Sequence, residues 1–428
     1  MPLTAFVTDG DERPALAIVR SLGRRGITVI VGEQQQTSLA SRSRYCARHV
    51  TYPSPYVECD AFDRFLASFL VRERIDVVLP VTDVTTHAVC RNQERLKRDC
   101  SLAVPPFDAF DLVTNKARLI EHAARCGVPV PRTHVVAGRP RLSTVVRDVE
   151  YPAVVKPARS RIRTHRGWVA AGVHYAASAA ELWRLYEQKE YLAAFPSLIQ
   201  PRIAGPGVGL FALFDRGELL TVFAHRRLRE KPPSGGVSVL CESVPVDSQL
   251  ADEAVRLLGP LGWHGVAMLE YKQESATGKR FLIEVNGRFW GSLQLAVDAG
   301  VDFPYHTCEL ALGRRPDASA PYRVGVRNRW LLGDLDHLLL RVFHRSRDLW
   351  LPEGAPSRLR AVIEFLKSTG PGVRDQVVSA DDPRAFLFEL RQYARSSWAS
   401  VARAVRKARS GHGSAACDTH ARHSRAEA

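Results

Sequence analysis

The residues best able to do chemistry lie in F-L-I-E-V-N-G-R-F-W-G-S, 281–292. Phe281-Leu282-Ile283 reads as an apolar strand, and Glu284, Asn286 and Arg288 then occupy every second position. Strand side chains alternate faces, so these three polar groups share one face. A carboxylate, an amide and a guanidinium do not line up in a core unless they hold something. A second acid, Glu270, stands among apolar residues in M-L-E-Y, 268–271. A polar turn joins the two strands, so Glu270 faces Glu284 in a hairpin-like pair. Paired carboxylates repel unless positive charge lies between them. With the Asn286 oxygen they suit Mg²⁺, which takes its remaining ligands from water and substrate phosphates. Arg288 reaches the same phosphates through its two-pronged guanidinium. The bland alternative is an exposed edge strand; the apolar flank and Glu270 argue against it.

Upstream lysines fit a triphosphate. Lys156 ends the apolar strand of Y-P-A-V-V-K-P, 151–157, and Lys116 opens a helix in T-N-K-A, 114–117. A cation at a helix N-terminus is electrostatically misplaced, which makes sense if it meets an anion. The stretch 159–166 holds four arginines and no acid. It is either a flap over phosphates or a solvated loop. Asp83 follows a strand end, where α/β sheets bind ligands, but serves equally well as a helix N-cap. Glu33 ends the second strand, where a ribose-binding acid often sits, although a lone Glu there is more often a loop residue. Trp263 and Trp290 read as core aromatics.

Positioning these groups takes several elements. Residues 3–8, 27–31 and 76–80 read as buried strands, with helices at 13–25 and 61–74. This alternation predicts a parallel, doubly wound sheet. The turn Thr8-Asp9-Gly10 is no G-x-G-x-x-G fingerprint. Pro105-Pro106 reads as a hinge, followed by a helical pattern over 108–126 and a stop at G-V-P-V-P, 127–131. A helix or linker is expected at 139–150, strands at 153–156 and 168–175, and a helix at 179–190. Residues 197–227 read as an antiparallel meander. A helix follows at 249–261, strands at 266–272 and 279–285, and helices at 289–300 and 303–312. Three short helices, 335–343, 356–366 and 383–394, carry no chemistry legible in the sequence. From about 408 the chain is mostly Ser, Gly, His, Arg and Ala, a composition expected to stay disordered.

Composition narrows the function classes. The 428 residues are 45% hydrophobic and 25% charged, as in globular multidomain proteins. No apolar run approaches the roughly 20 residues of a membrane span. The eight cysteines include no C-x-x-C pair. The absence of a signal-peptide pattern and the cysteine usage make a reducing cytoplasm the expected setting. Sixty Lys and Arg against 45 Asp and Glu give a net charge of +15. Nucleic-acid motifs are missing; anionic substrates, nucleotide phosphates or an acidic surface explain the charge equally well, and no specific nucleic-acid partner is expected. A homodimer is the default assembly.

Five segments in order resemble the ATP-grasp superfamily. They are N-K-A-R-L-I-E-H-A-A-R-C-G-V-P-V-P (115–131), Y-P-A-V-V-K-P (151–157), L-I-Q-P-R-I-A-G (198–205), H-G-V-A-M-L-E-Y (264–271) and F-L-I-E-V-N-G-R (281–288). The longer forms H-R-R-L-R-E-K-P-P-S-G-G and E-V-N-G-R-F-W-G-S-L-Q-L-A resemble a carbamoyl-phosphate-synthetase-like or carboxylate–amine ligase-like subgroup. The resemblance implies an α/β N-terminal domain over 1–107. It also implies an α+β ATP-grasp domain over 108–315, with an ATP-binding lobe at 151–225 and a catalytic lobe at 226–315. A mostly helical region, 316–396, and a basic tail, 397–428, would follow. The resemblance further implies that Lys116 and Lys156 hold ATP phosphates and that Gln200, Pro201, Arg202 and Ile203 form a hinge reading adenine through backbone groups. Glu270, Glu284 and Asn286 would ligate two Mg²⁺, for which Mn²⁺ could substitute. Arg288 would stabilise phosphoryl transfer to a carboxylate, and Arg227 and His225 would lie near the γ-phosphate or the acyl phosphate. Arg227, His225 and Glu230 could instead simply pair across a strand surface. Ser234-Gly235-Gly236 would lie near the acceptor. The implied activity is ADP-forming ligation of a carboxylate, amino-acid-like or small-peptide-like, to an amine or similar nucleophile through an acyl phosphate; the alternative is a nucleotide-binding regulatory or interaction protein without turnover. This chain departs from the family in its arginine-rich flap, in Gly207-Val208-Gly209 where a ribose-binding acid often follows the hinge, and in Asn286-Gly287-Arg288 for the commoner Asn-Pro-Arg.

Overall fold

The computed structural model describes residues 3–317, 321–351, 354–370 and 372–409. Four parallel strands open the chain: β1 (Thr4–Val7), β2 (Thr28–Glu33), β3 (Arg48–Thr51) and β4 (Val77–Leu79), in the order β3-β2-β1-β4. β1, β2 and β4 are almost wholly buried, as expected of a parallel sheet covered on both faces. Helix Arg13–Arg24 starts on Pro14, whose missing N–H costs nothing in the first turn, and buries Leu16, Ile18, Val19 and Leu22. The helical pattern of 108–126 breaks into Phe107–Thr114 and Lys116–Arg125. Asn115 causes the break: its side chain caps the second helix by accepting from Ala117 and Arg118 N–H.

A second sheet holds β5 (His134–Ala137), β6 (Ala153–Pro157), β9 (His174–Ala176) and β10 (Pro196–Pro201), all antiparallel, in the order β5-β10-β6-β9. The strand expected over 168–175 is split. Its first part is β8 (Gly167–Ala170), which pairs with β7 (Arg161–Thr164) as a separate hairpin. That hairpin docks on the first domain. Trp168 N–H donates to Tyr56 O at 2.8 Å, and Gly167, at φ +108°, packs so close that a Cβ would lie 2.2 Å from Tyr56 O.

The third sheet holds β11 (Gly207–Asp215), β12 (Glu218–Lys231), β13 (Val237–Val244), β14 (Gly265–Gln273), β15 (Arg280–Asn286), β16 (Arg327–Arg329) and β17 (Val373–Asp375). Its order is β15-β14-β11-β12-β13-β16-β17. The meander expected over 197–227 is therefore divided, with β10 in the second sheet and β11 and β12 in the third. The region after 315 is not only helical, because β16 and β17 extend this third sheet.

The N-terminal and ATP-grasp regions share a core. Ala5, Leu16 and Val19 of the first domain pack in one cluster with Phe211, Met268, Trp290 and Phe303. The region after 315 is tied to the first domain by a buried ion pair. Arg20 Nε lies 2.9 Å from Asp382 Oδ2, and Asp382 also accepts from the Ser43 hydroxyl and from Arg44 N–H. The last helix, Pro383–Arg409, runs into the segment expected as a tail. The rest of that tail, 410–428, lies outside the described residues.

Candidate active site

A cleft of about 480 Å³ opens between the second and third sheets. Lys156, Gln200–Ile203, Arg227, Glu270, Glu284, Asn286 and Arg288 all line it. The expected facing of the acids is present: Glu270 pairs with Glu284, and Met268 with Asn286, across β14 and β15. The ladder shifts register between Glu270 and Tyr271, leaving Ile283 unpaired, and regular pairing resumes from Tyr271 opposite Leu282.

Each acid meets a cation. Arg227, on β12, lies 2.6 Å from Glu270 Oε2 and 2.9 Å from Glu230 Oε1, and donates to Gly236 O at 3.0 Å. Burial pushes the Glu270 carboxyl up, but Arg227 overcomes it and holds the group below the usual range. Burial likewise disfavours the Arg227 cation, and Glu270 and Glu230 outweigh it, so its pKa is raised. Lys116 Nζ lies 3.5 Å from Glu284 Oε1 and donates to Ser160 Oγ at 2.7 Å. Ser160 belongs to the turn leading into β7, so the arginine-rich segment anchors a site lysine. Its own Arg159 is held by Asp111 at 2.7 Å.

Lys156, next to last in β6, is 8% exposed, and among the described residues its side-chain amine has no hydrogen-bond or ion-pair partner. Burial lowers its pKa to about 8, Glu284 opposing and Lys116 reinforcing the shift. A buried cation without a partner is costly unless a ligand supplies the anion. Arg288 lies 3.0 Å from Asp83 Oδ1. Its pKa is raised, Asp83 and Glu284 outweighing the burial that acts against it. Asp83 thus ties the first domain to a side chain that lines the cleft. It is not an N-cap: Thr82 caps that helix in a capping box with Thr85.

Other expected residues fall elsewhere. His225 does not line the cleft. It is 1% exposed, edge-on to Phe211, with Nδ1 3.5 Å from Ser292 Oγ. Burial, with help from Arg227, holds it well below the usual imidazole range, so it stays neutral. The alternation that put it beside Arg227 placed it one step deeper in the core. Glu33 is also outside the cleft; it accepts from Asp11 and Gln34 N–H and is pushed up to about 7 by burial and Asp9. In the hinge, Arg202 N–H is taken by Pro152 O at 2.9 Å and Gln200 Nε2 donates to Thr133 Oγ1. A base would therefore meet the remaining backbone groups of that turn. Trp290 is core, as expected, yet also lines the cleft.

Sequence reasoning missed Lys231 and Tyr175. Lys231 lines the cleft 2.9 Å from Asp336 and 5.1 Å from the Trp330 ring, and Tyr175 OH donates to Ser234 O at 3.1 Å. A lysine just before two prolines was the available signal for the first. Tyr175 gave none.

Residues 195–333 match a family described as ATP-grasp in the biosynthetic pathway with Ter operon. A search of curated proteins found no match to this sequence. Among solved structures, the chain is similar to the biotin carboxylase domain of the Hydrogenobacter thermophilus 2-oxoglutarate carboxylase, solved with MgADP, ADP and bicarbonate. The identity is 15%, the TM-score 0.61, and 76% of this chain and 74% of that one are covered. It is also similar to an ADP complex of N5-carboxyaminoimidazole ribonucleotide synthetase, at 14% identity and TM-score 0.60, covering 86% of this chain and 96% of that one. An L-amino acid ligase from Bacillus licheniformis aligns at 19% identity and TM-score 0.54, covering 72% and 74%. The chain thus shares the fold of these structures, and its β10–β16 segment, which spans both facing acids, carries the ATP-grasp family match.

Proposed function

We propose that the chain is an ATP-dependent ligase that activates a carboxylate as an acyl phosphate, releases ADP and joins the acyl group to an amine. The observation that carries this reading is the register of β14 on β15, which sets Glu270 against Glu284 in a cleft also lined by Asn286, Arg288 and the unpartnered Lys156. Similarity to structures holding ADP, and to an L-amino acid ligase, supports the nucleotide and the amino-acid-like substrates.

The donor set fits Mg²⁺: two carboxylates and an amide oxygen, all hard ligands. Among the described residues no group of three or more His, Cys, Asp or Glu could hold a metal ion alone. Water and ATP phosphates would complete the shell, and Glu270, Glu284 and Asn286 would hold two ions. Bound there, Mg²⁺ supplies charge neutralisation of the phosphates. Lys116 and Lys156 bind phosphate oxygens. Arg227 fixes one oxygen of Glu270 and leaves the other for the cleft. Arg288, braced by Asp83, meets charge developing on the transferred phosphoryl group while the substrate carboxylate attacks. The hairpin β7–β8 shields the acyl phosphate from water.

The test follows ATP consumption with Mg²⁺ across a pooled library of amino acids and small acids, wild type beside Glu284→Gln. The expected result is acid-dependent ADP and phosphate, lost in the variant. AMP as the product contradicts the acyl phosphate. Tight ATP binding without turnover on any acid favours the regulatory reading.

A further inference from the structure

We propose that Trp350, from the region after the ATP-grasp domain, is a positioning residue for the nucleotide: it clamps the hinge end of the cleft through Tyr175 and Arg202. This inference rests on the ATP-binding reading above. The Trp350 ring stacks on Tyr175, with centroids 5.4 Å apart and planes 25° off parallel. The Arg202 guanidinium donates to Trp350 O and lies 5.8 Å from the Tyr175 ring and 5.9 Å from the Trp350 ring. Tyr175 and Arg202 both line the cleft.

Three parts of the chain meet at this point. Tyr175 belongs to β9, at the edge of the second sheet. Its hydroxyl donates to Ser234 O, in the loop after β12 of the third sheet, so this one side chain links the two walls of the cleft. Gly235 in that loop sits at φ +127°, and a Cβ there would lie 3.4 Å from the Tyr175 hydroxyl. Arg202 belongs to the hinge turn after β10. Trp350 binds both from outside, and its own backbone is left-handed at φ 48°. A bulky residue rarely adopts that conformation, and its surroundings must hold it there. Here the stack and the Arg202 contact do so. Arg202 N–H is already spent on Pro152 O, so its backbone is fixed by the second sheet and its side chain by Trp350. Arg202 is thereby held by both backbone and side chain before a nucleotide enters.

Prior ordering of a binding site strengthens binding without adding a ligand contact. Trp350→Ala therefore weakens MgATP and MgADP binding about five- to tenfold, the yield of one aromatic stack and its cation contact. The loss falls on KM for ATP rather than on kcat. Trp350→Phe, which keeps a stacking ring, restores affinity to within about twofold of wild type. Trp350→Leu keeps apolar bulk without the stack, so it reads the same effect if Trp350→Ala does not fold. Calorimetry with MgADP and the nucleotide-free melting temperature of each variant make the test. A weakened Trp350→Leu beside a rescued Trp350→Phe of equal melting temperature supports the clamp. Equal affinity in wild type and Trp350→Leu overturns it. A wild-type protein that binds neither MgATP nor MgADP overturns the ligase reading itself, which separates the two failures.

Discussion

Arg288 and Lys156 answer to different physics, and their substitutions should separate. Arg288 is balanced by Asp83 and sits where phosphoryl charge would develop. Arg288→Ala should lower kcat about 10²–10³-fold, a loss of about 3–4 kcal/mol, with the melting temperature little changed. A change confined to KM would remove Arg288 from the transfer step. Lys156 carries a cation that the folded apo protein disfavours, because burial drops its pKa from 10.5 to about 8. Between about pH 8 and 10.5 the unfolded chain holds a proton that the folded one has shed, so this group's contribution to stability rises with pH across that window. Below pH 8 its contribution is unfavourable and constant. Lys156→Met should therefore raise the unfolding free energy at pH 7 by about 1–3 kcal/mol while weakening MgATP binding. Urea titrations at pH 7 and pH 10 check both parts; a variant less stable than wild type at pH 7 contradicts the account.

At the scale of elements, β11, β14 and β15 form the platform, and β11 needs Gly209. Gly209 sits opposite both Glu270 and His225, and a Cβ there would lie 2.7 Å from the Phe211 ring and 3.0 Å from His225 Nε2. Gly209→Val should cost about 1–3 kcal/mol, read as a lower denaturant midpoint, because the core beneath the acids cannot yield without shifting β14. The alternation of Glu284, Asn286 and Arg288 was legible because side-chain period and burial agree on β15. The parallel strands β1, β2 and β4 were legible for the same reason, as short unbroken apolar runs. β16 and β17 were not, since each is three residues long and too short for any period to show. His225 misled because alternation fixes the face of a strand but not the depth at which the face is covered. Asp83 was ambiguous because its partner, Arg288, is more than two hundred residues away, and only the tertiary contact chooses between cap and ion pair.

Across the whole molecule, the region after 315 closes the structure. It extends the third sheet through β16 and β17, and Asp382 satisfies the buried Arg20 of the first domain. Asp382→Ala leaves a guanidinium buried without its anion and should cost about 3–5 kcal/mol, seen as a large fall in the unfolding midpoint. An effect below about 1 kcal/mol would mean that this region is a dispensable appendage. No helix among the described residues is long and apolar enough to cross a membrane. The proposed function has its centre in the cleft, as phosphoryl transfer to a carboxylate between Glu270, Glu284, Asn286 and Arg288. The most direct measurement supplies a pool of amino acids labelled with ¹⁸O in the carboxylate, together with MgATP and amine acceptors, and reads the label in the products. Transfer of one ¹⁸O into inorganic phosphate, with ADP formed in equal amount, is the predicted result. Label appearing in AMP, or phosphate without label, would contradict it.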